Sequence, residues 1–179
     1  IQAKNSRWFT MMRDPIYRYI SGLISRAQAH PGVSAPKDPQ VYAKQIISRL
    51  EAKQGMERHW SITPDKYLVS TSQMSKGTTI GTTRAVSQMM DNLSNFTVIG
   101  LVEKWDASIE MFSKLLDPSK KWKGWDKFVG AKAVKRNVSG QLTTDSVVQA
   151  IRKIGKYAYL KEVFAREYKL YNHAVSLFK

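Results

Sequence analysis

Apolar positions along the chain follow two periods, and these set the expected elements. Residues 8–12 (WFTMM) form a short aromatic and apolar run closed by the turn pair Asp14-Pro15, which predicts a strand. Pro15 then falls in the first turn of a helix, where its missing N–H costs nothing. Ile16, Ile20, Leu23, Ile24 and Ala27 recur at helical spacing and give that helix one apolar face. Tyr42, Ile46, Ile47 and Leu50 mark a second amphipathic helix after a loop-like stretch over 30–39, and residues 85–93 predict a short third one. The run FTVIGLV (96–102) is nearly all apolar, the pattern of a strand buried on both faces. Trp105, Ile109, Phe112, Leu115 and Leu116 predict the helix after it. Thr143 or Thr144 is placed to cap a helix running to Ile154. A single closing helix carries Leu160, Val163, Phe164, Tyr168, Tyr171, Val175 and Phe178 at three-to-four spacing. Residues 70–83, rich in Ser, Thr and Gly, predict an exposed loop. Apolar strands alternating with helices predict an α/β fold, a parallel sheet flanked by helices. The 179 residues are expected to form one domain with its own core.

Composition adds a bias in charge. Hydrophobic residues at 42% and aromatics at 11% fit a folded protein. Lys and Arg number 29 against 14 Asp and Glu, a net +15, which favours polyanionic partners: nucleic acid, anionic glycans, phosphorylated cofactors or an acidic membrane face. Cysteine is absent, which excludes disulfides, thiolate metal sites and a Cys nucleophile. Zinc-type ligand spacing, a G-x-S-x-G elbow and a Rossmann glycine fingerprint are absent too, so no metal is expected. No apolar run is long enough to span a bilayer, and the first residues do not read as a signal peptide. Without an initiator Met, and entering a strand almost at once, the chain reads as the C-terminal part of something longer. Sequons at Asn92, Asn95 and Asn137 matter only in the secretory pathway, and Asn95, abutting the buried strand, is expected to be poorly placed.

The candidate chemistry begins at RWFTMMRDPIYRYISGL (7–23). A strand end followed by a helix N-terminus is where α/β folds bind ligands. The dipole and N–H groups there attract an anion. Arg13 adds a bidentate phosphate fork, Ser21 a hydroxyl two turns into the helix, and Arg18 is expected nearer the opposite face. One reading is a phosphate clamp. The other is a strand–helix corner in which Arg13 pairs Asp14 or another carboxylate. The residues by themselves leave both open.

FTMMRDPIYRYISGL also resembles the 3′-phosphate-binding motif of PAPS-dependent carbohydrate O-sulfotransferases of the Golgi type, where a strand ends in Arg-(Asp/Glu)-Pro and continues with Arg and Ser at this spacing. FTVIGLVEKWDASIEMFSKLL (96–116) is similar to that family's strand ending in Gly-Leu-x-Glu and the helix opening Asp-x-Ser-(Ile/Leu). KRNVSGQLTTDSVVQAI (135–151) resembles the loop before its last helices, and AREYKLYNHAVSLF (165–178) its closing helix, with Glu167 where Asp is usual. The resemblance implies a P-loop-NTPase-like sulfotransferase fold, incomplete at its N-terminus. It implies sulfuryl transfer from PAPS to a hydroxyl, that of a carbohydrate such as an anionic glycan, with release of PAP. Arg13 and Ser21 would hold the 3′-phosphate of this anionic nucleotide, Lys135 and Arg136 would approach it from the other side, and Glu103 and Asp106 would be structural. A typical member works in the Golgi lumen.

The chain departs from that pattern in two places. The family's phosphate loop, with the Lys that stabilises the leaving group, lies well upstream of Arg-Asp-Pro, and only about a dozen residues precede Arg13. SKGTTIG (75–81), with Lys76, looks like such a loop but lies downstream and reads as a decoy. The acceptor hydroxyl also needs a base. Of His30, His59 and His173, the candidate is His59, because RHWSITP (58–64) resembles a His-Trp-x-x-Pro stretch bordering the acceptor cleft in chondroitin-type enzymes; here the spacing to Pro64 is longer, and a structural histidine is the competing reading. The basic segment KKWKGWDKFVGAKAVKR (120–136) fits an anionic-glycan or cofactor lip, an RNA contact with stacking Trp residues, or a solvated loop with aromatics packed inward. A rival to the enzyme is a non-catalytic, basic sulfotransferase-like subunit of a large RNA-containing assembly, such as an organellar ribosome in an organelle matrix.

Overall fold

The computed structural model describes residues 9–29, 36–52, 83–119, 121, 123–127 and 142–178. In chain order these form β1 (Phe9–Met12), α1 (Pro15–Ala29), α2 (Pro39–Glu51), α3 (Thr83–Ser94), β2 (Val98–Leu101), a 3-10 turn (Val102–Lys104), α4 (Trp105–Leu116), a second 3-10 turn (Lys123–Lys127), α5 (Thr144–Lys153), α6 (Tyr157–Val163) and α7 (Ala165–Leu177). The described chain is mostly helical around a small parallel sheet, an α/β architecture.

β1 pairs with β2 in parallel, from Phe9 opposite Val98 to Met12 opposite Leu101. Alternation along the strands divides their side chains between two faces. Met11 and Val98 pack with Ile109 and Phe112 of α4. Met12, Ile99 and Leu101 pack with Met89 and Leu93 of α3 and Leu170 and Ala174 of α7. All four residues of β2 are buried, as its apolar run requires. The strand is shorter than that run. Phe96 donates its N–H to the Leu93 carbonyl at 3.1 Å in the turn that ends α3, and Val102 already begins the 3-10 turn.

Two residues seat α4 on the sheet. A Cβ on Gly100 would collide with Met11 Sδ and would lie 2.8 Å from Phe112 Cζ and 3.0 Å from Ser108 Cβ, so only glycine permits this approach. Ser108 is fully buried; its Oγ accepts the Leu101 N–H at 2.8 Å and lies 3.0 Å and 2.9 Å from the Leu101 and Lys104 carbonyls, to which its one proton is donated.

The second core is built mainly from helices. Val147, Val148 and Ile151 of α5 are fully buried among Ile16, Ile20, Ile46, Ile47, Leu50 and Leu160. Local signals start and stop these helices. Asp38 caps α2 by accepting the Gln40 N–H at 2.7 Å. Thr143 and Ser146 cap α5 reciprocally, each side chain bonded to the other's backbone N–H at 3.0 and 2.9 Å. Gly155, at φ 72°, ends α5: its N–H reaches Arg152 O at 3.0 Å while the Lys156 N–H reaches Ile151 O at 3.1 Å, a Schellman pair.

The single closing helix expected from periodicity is two. The chain breaks at Phe164, whose φ is −97° and ψ 21°. Leu160 and Phe164 belong to the helical core, with the Phe164 ring 5.0 Å from that of Tyr19, whereas Leu170 and Ala174 belong to the sheet core. One straight axis does not serve both, and Val175, expected on the apolar face, is exposed. Among the described residues no helix is long and apolar enough to cross a membrane.

Candidate functional site

Met12 and Leu101 are paired, so both strands hand the chain to helical turns at one edge of the sheet. Arg13 is the first residue past β1. Asp14 follows it and caps α1: its Oδ1 accepts the Ile16 N–H at 3.0 Å and the Tyr17 N–H at 3.1 Å. This corrects the expectation of open N–H groups awaiting an external anion. The first turn of α1 already holds a carboxylate of its own chain.

Asp14 is the hub of a wider network. Its Oδ2 accepts the Tyr168 hydroxyl at 2.8 Å, and its backbone N–H donates to Glu103 Oε1 at 2.8 Å. Glu103 Oε2 accepts the Tyr171 hydroxyl at 3.0 Å. Tyr168 and Tyr171 are three apart on α7 and so share one side of it, with ring centroids 6.4 Å apart, edge to face. Burial, then the Asp14 carboxylate, pushes the Tyr168 hydroxyl far above the usual tyrosine range; burial, then Glu103, does the same for Tyr171. Both hydroxyls are therefore fixed donors at any ordinary pH.

Arg13 is half-buried and forms no ion pair or hydrogen bond among the described residues, so the corner in which it pairs Asp14 is not the one that forms. Ser21 is half-buried on α1, and its hydroxyl bonds to nothing among the described residues. Arg18 is not on the far face. It precedes Ser21 by three residues, so the two share a side of α1 with Tyr17. Lys135, Arg136, His59, His30, Lys76 and Asn137 lie outside the described residues, as does the stretch 70–83 predicted as a loop, except Thr83, which begins α3.

The other sequence candidates take structural positions. Glu103 accepts the Asp14 N–H and the Tyr171 hydroxyl, and among the described residues it forms no ion pair. Asp106 is exposed in the first turn of α4, where the helix dipole favours a carboxylate. Glu167 is buried on α7. His173 Nε2 lies 2.9 Å from Ser94 Oγ and ties α7 to α3. Asn95 is exposed in the turn after α3, not hidden against β2. In the basic Trp segment, Lys121, Lys123 and Lys127 are exposed while Trp125 packs beside Val98 and Phe112. Among the described residues no group of three or more His, Asp or Glu is placed to share a metal ion.

Four residues escaped sequence reasoning. Tyr168 and Tyr171 were read only as apolar positions of a helix; their tyrosine identity at a three-residue spacing, with acids just past both strands, is the signal that points to them. Arg152 and Lys161 were not singled out at all. The Arg152 guanidinium stacks 3.9 Å over the Tyr157 ring, and Lys161 Nζ lies 5.7 Å from Tyr157 and 5.8 Å from Tyr168. They come from two helices joined by the Gly155 turn, so no periodic pattern links them.

No protein-family model, no curated protein and no solved structure matches the chain.

Proposed function

We propose that this chain is the 3′-phosphate half of a PAPS-dependent carbohydrate sulfotransferase of P-loop-NTPase-like fold. Arg13 and Ser21 grip the 3′-phosphate of the nucleotide, and Lys135 and Arg136 meet it from the opposite side. One convergence supports the reading. Residues from three of the sulfotransferase-like motifs, far apart in sequence, join in a single network: Asp14 of the first, Glu103 of the second, Tyr168 and Tyr171 of the fourth. Arg13 adjoins Asp14, the hub of that network, and among the described residues no carboxylate pairs with it.

In this reading the sulfur–oxygen bond to the 5′-phosphate of PAPS breaks as a new one forms to the acceptor hydroxyl, and PAP leaves. Negative charge grows on the bridging oxygen and calls for a preorganised cation there. The acceptor proton goes to a base, for which His59 is the candidate. Arg13 supplies binding and orientation, not the leaving-group charge.

Calorimetry with PAP tests the clamp. Wild type binds PAP more tightly than adenosine 5′-monophosphate, which lacks the 3′-phosphate, and Arg13→Ala weakens PAP by roughly tenfold or more, the scale of a lost charge-assisted hydrogen bond. Equal binding by Arg13→Ala rules out the phosphate role. The net +15 and the exposed Lys121, Lys123 and Lys127 favour the second reading, a basic subunit of an RNA-containing assembly. Retention of single-stranded RNA at physiological salt without PAP affinity is its signature.

A further inference from the structure

We propose that Tyr168 and Tyr171 are positioning residues: through Asp14 and Glu103, the last helix fixes the corner that presents Arg13. The effect on phosphate binding rests on the function proposed above; the ordering of the corner does not.

The geometry gives the corner few other anchors. Arg13 and Asp14 are the two residues between the end of β1 and the start of α1. Toward the sheet, the Asp14 N–H is held by Glu103 Oε1 across 89 positions of sequence. Toward the helix, Asp14 Oδ1 is committed to the α1 cap. A carboxylate bonded through one oxygen to two N–H groups can still swing about its side-chain torsions. The Tyr168 hydroxyl on Oδ2, from 154 positions away, removes that freedom. Tyr171 does the same for Glu103, since its hydroxyl holds Oε2 while Oε1 takes the Asp14 N–H. The two tyrosines also sit on one helix that packs against both α1 and β2, so the corner is referenced to both. Each carboxylate thus spends one oxygen on backbone and the other on α7. Both oxygens of Asp14 are thus engaged away from Arg13, which pairs with no carboxylate among the described residues.

The test uses conservative variants that remove a single oxygen: Tyr168→Phe and Tyr171→Phe. Ile151→Val, in the helical core and outside the network's hydrogen bonds, is the control for general loss of stability. Amide hydrogen exchange followed by NMR reads the corner without any ligand. In Tyr168→Phe the Ile16 and Tyr17 amides, and in Tyr171→Phe the Asp14 amide, exchange about tenfold faster than in wild type, while amides of α2 and α5 keep their rates. Ile151→Val gives the opposite distribution. Exchange that rises evenly through the chain in the tyrosine variants, or does not rise at the corner, overturns the proposal. Calorimetry with PAP is the second arm. Both tyrosine variants bind PAP several-fold more weakly, while Ile151→Val, at a comparable fall in Tm, binds as wild type does. Wild-type PAP binding with no loss in either tyrosine variant overturns the proposal. If wild type does not bind PAP, the proposed function falls, and the exchange arm alone decides whether α7 orders the corner.

Discussion

The helical half and the sheet half of the molecule are held together differently. In the helical half, α1, α2, α5 and α6 share one apolar cluster, to which the described polar contacts add helix caps, an exposed Lys156–Glu51 ion pair and cations over the Tyr157 ring. In the sheet half, apolar contact is divided between two smaller clusters on either face of two short strands. There the joints are polar and specific: Ser108 to the end of β2, Asp14 to Glu103 and Tyr168, Glu103 to Tyr171, His173 to Ser94. A large core tolerates variation so long as volume and pattern survive. A small sheet with thin apolar cover depends on individual hydrogen bonds, and those of Asp14 and Glu103 lie just past the carboxyl ends of the strands, where ligands bind in α/β folds.

The largest effect should come from the helical core. Ile151→Ala removes a fully buried side chain at the centre of α5 and should cost about 2–5 kcal/mol in urea unfolding, with PAP binding by the remaining folded protein unchanged. In the sheet half, Gly100→Ala forces a Cβ to within 2.8 Å of Phe112 Cζ, and α4 must shift; the expected loss is about 1–3 kcal/mol. A neutral or stabilising Gly100→Ala would show that α4 is not seated by this contact. Ser108→Ala leaves the buried Leu101 N–H without its acceptor, at a cost of about 1–2 kcal/mol by the same measurement.

The smallest effect is on the alkaline limb. Burial pushes the Tyr19 hydroxyl up to about 12 in the helical core. The unfolded chain loses that proton near 10 while the folded chain keeps it, so folding binds the extra proton and stability falls as pH rises from 10 toward 12. Below pH 10 the group contributes no slope. The raised Tyr42, Tyr168 and Tyr171 act in the same sense. Urea midpoints between roughly pH 9 and 11.5 should therefore decline, and Tyr19→Phe should recover about 1 kcal/mol of the loss at roughly pH 11. An unchanged slope in Tyr19→Phe would assign the limb to the other raised tyrosines, Tyr17, Tyr42, Tyr168 and Tyr171.

The helical half was largely legible in the sequence. Ile16, Ile20, Ile46, Ile47, Leu50, Val147, Val148 and Ile151 occupy one face of their helices because the helix repeats within a few residues. Thr143 and Pro15 mark helix starts by backbone chemistry that is equally local. Asp14 carried the same signal, an acceptor just before a proline, but it read as a turn, which left the helix N-terminus looking open. The misplaced Arg18 was an error of helix geometry, not of missing information. The break at Phe164 was beyond local reading, because the apolar pattern continues unbroken there and neither Gly nor Pro interrupts it. Among the candidate site residues, Arg13 and Ser21 are described and bond to no other described side chain, while Lys135, Arg136 and His59 lie outside the described residues.

The sequence by itself determined the order of most helices and strands, most of the faces they bury and the excess of positive charge, but not the break at Phe164. Those properties rest on periodicity, propensity and composition, each encoded within a few neighbouring residues. The tertiary structure decided which residues meet at the ends of the strands. The bond partners of Asp14 and Glu103 lie 154, 89 and 68 positions apart. Such contacts form only after two strands pair in register and the last helix docks across them. A carboxylate beside a proline and a tyrosine in an apolar helix have no local relation; shared burial at one edge of the sheet makes them partners.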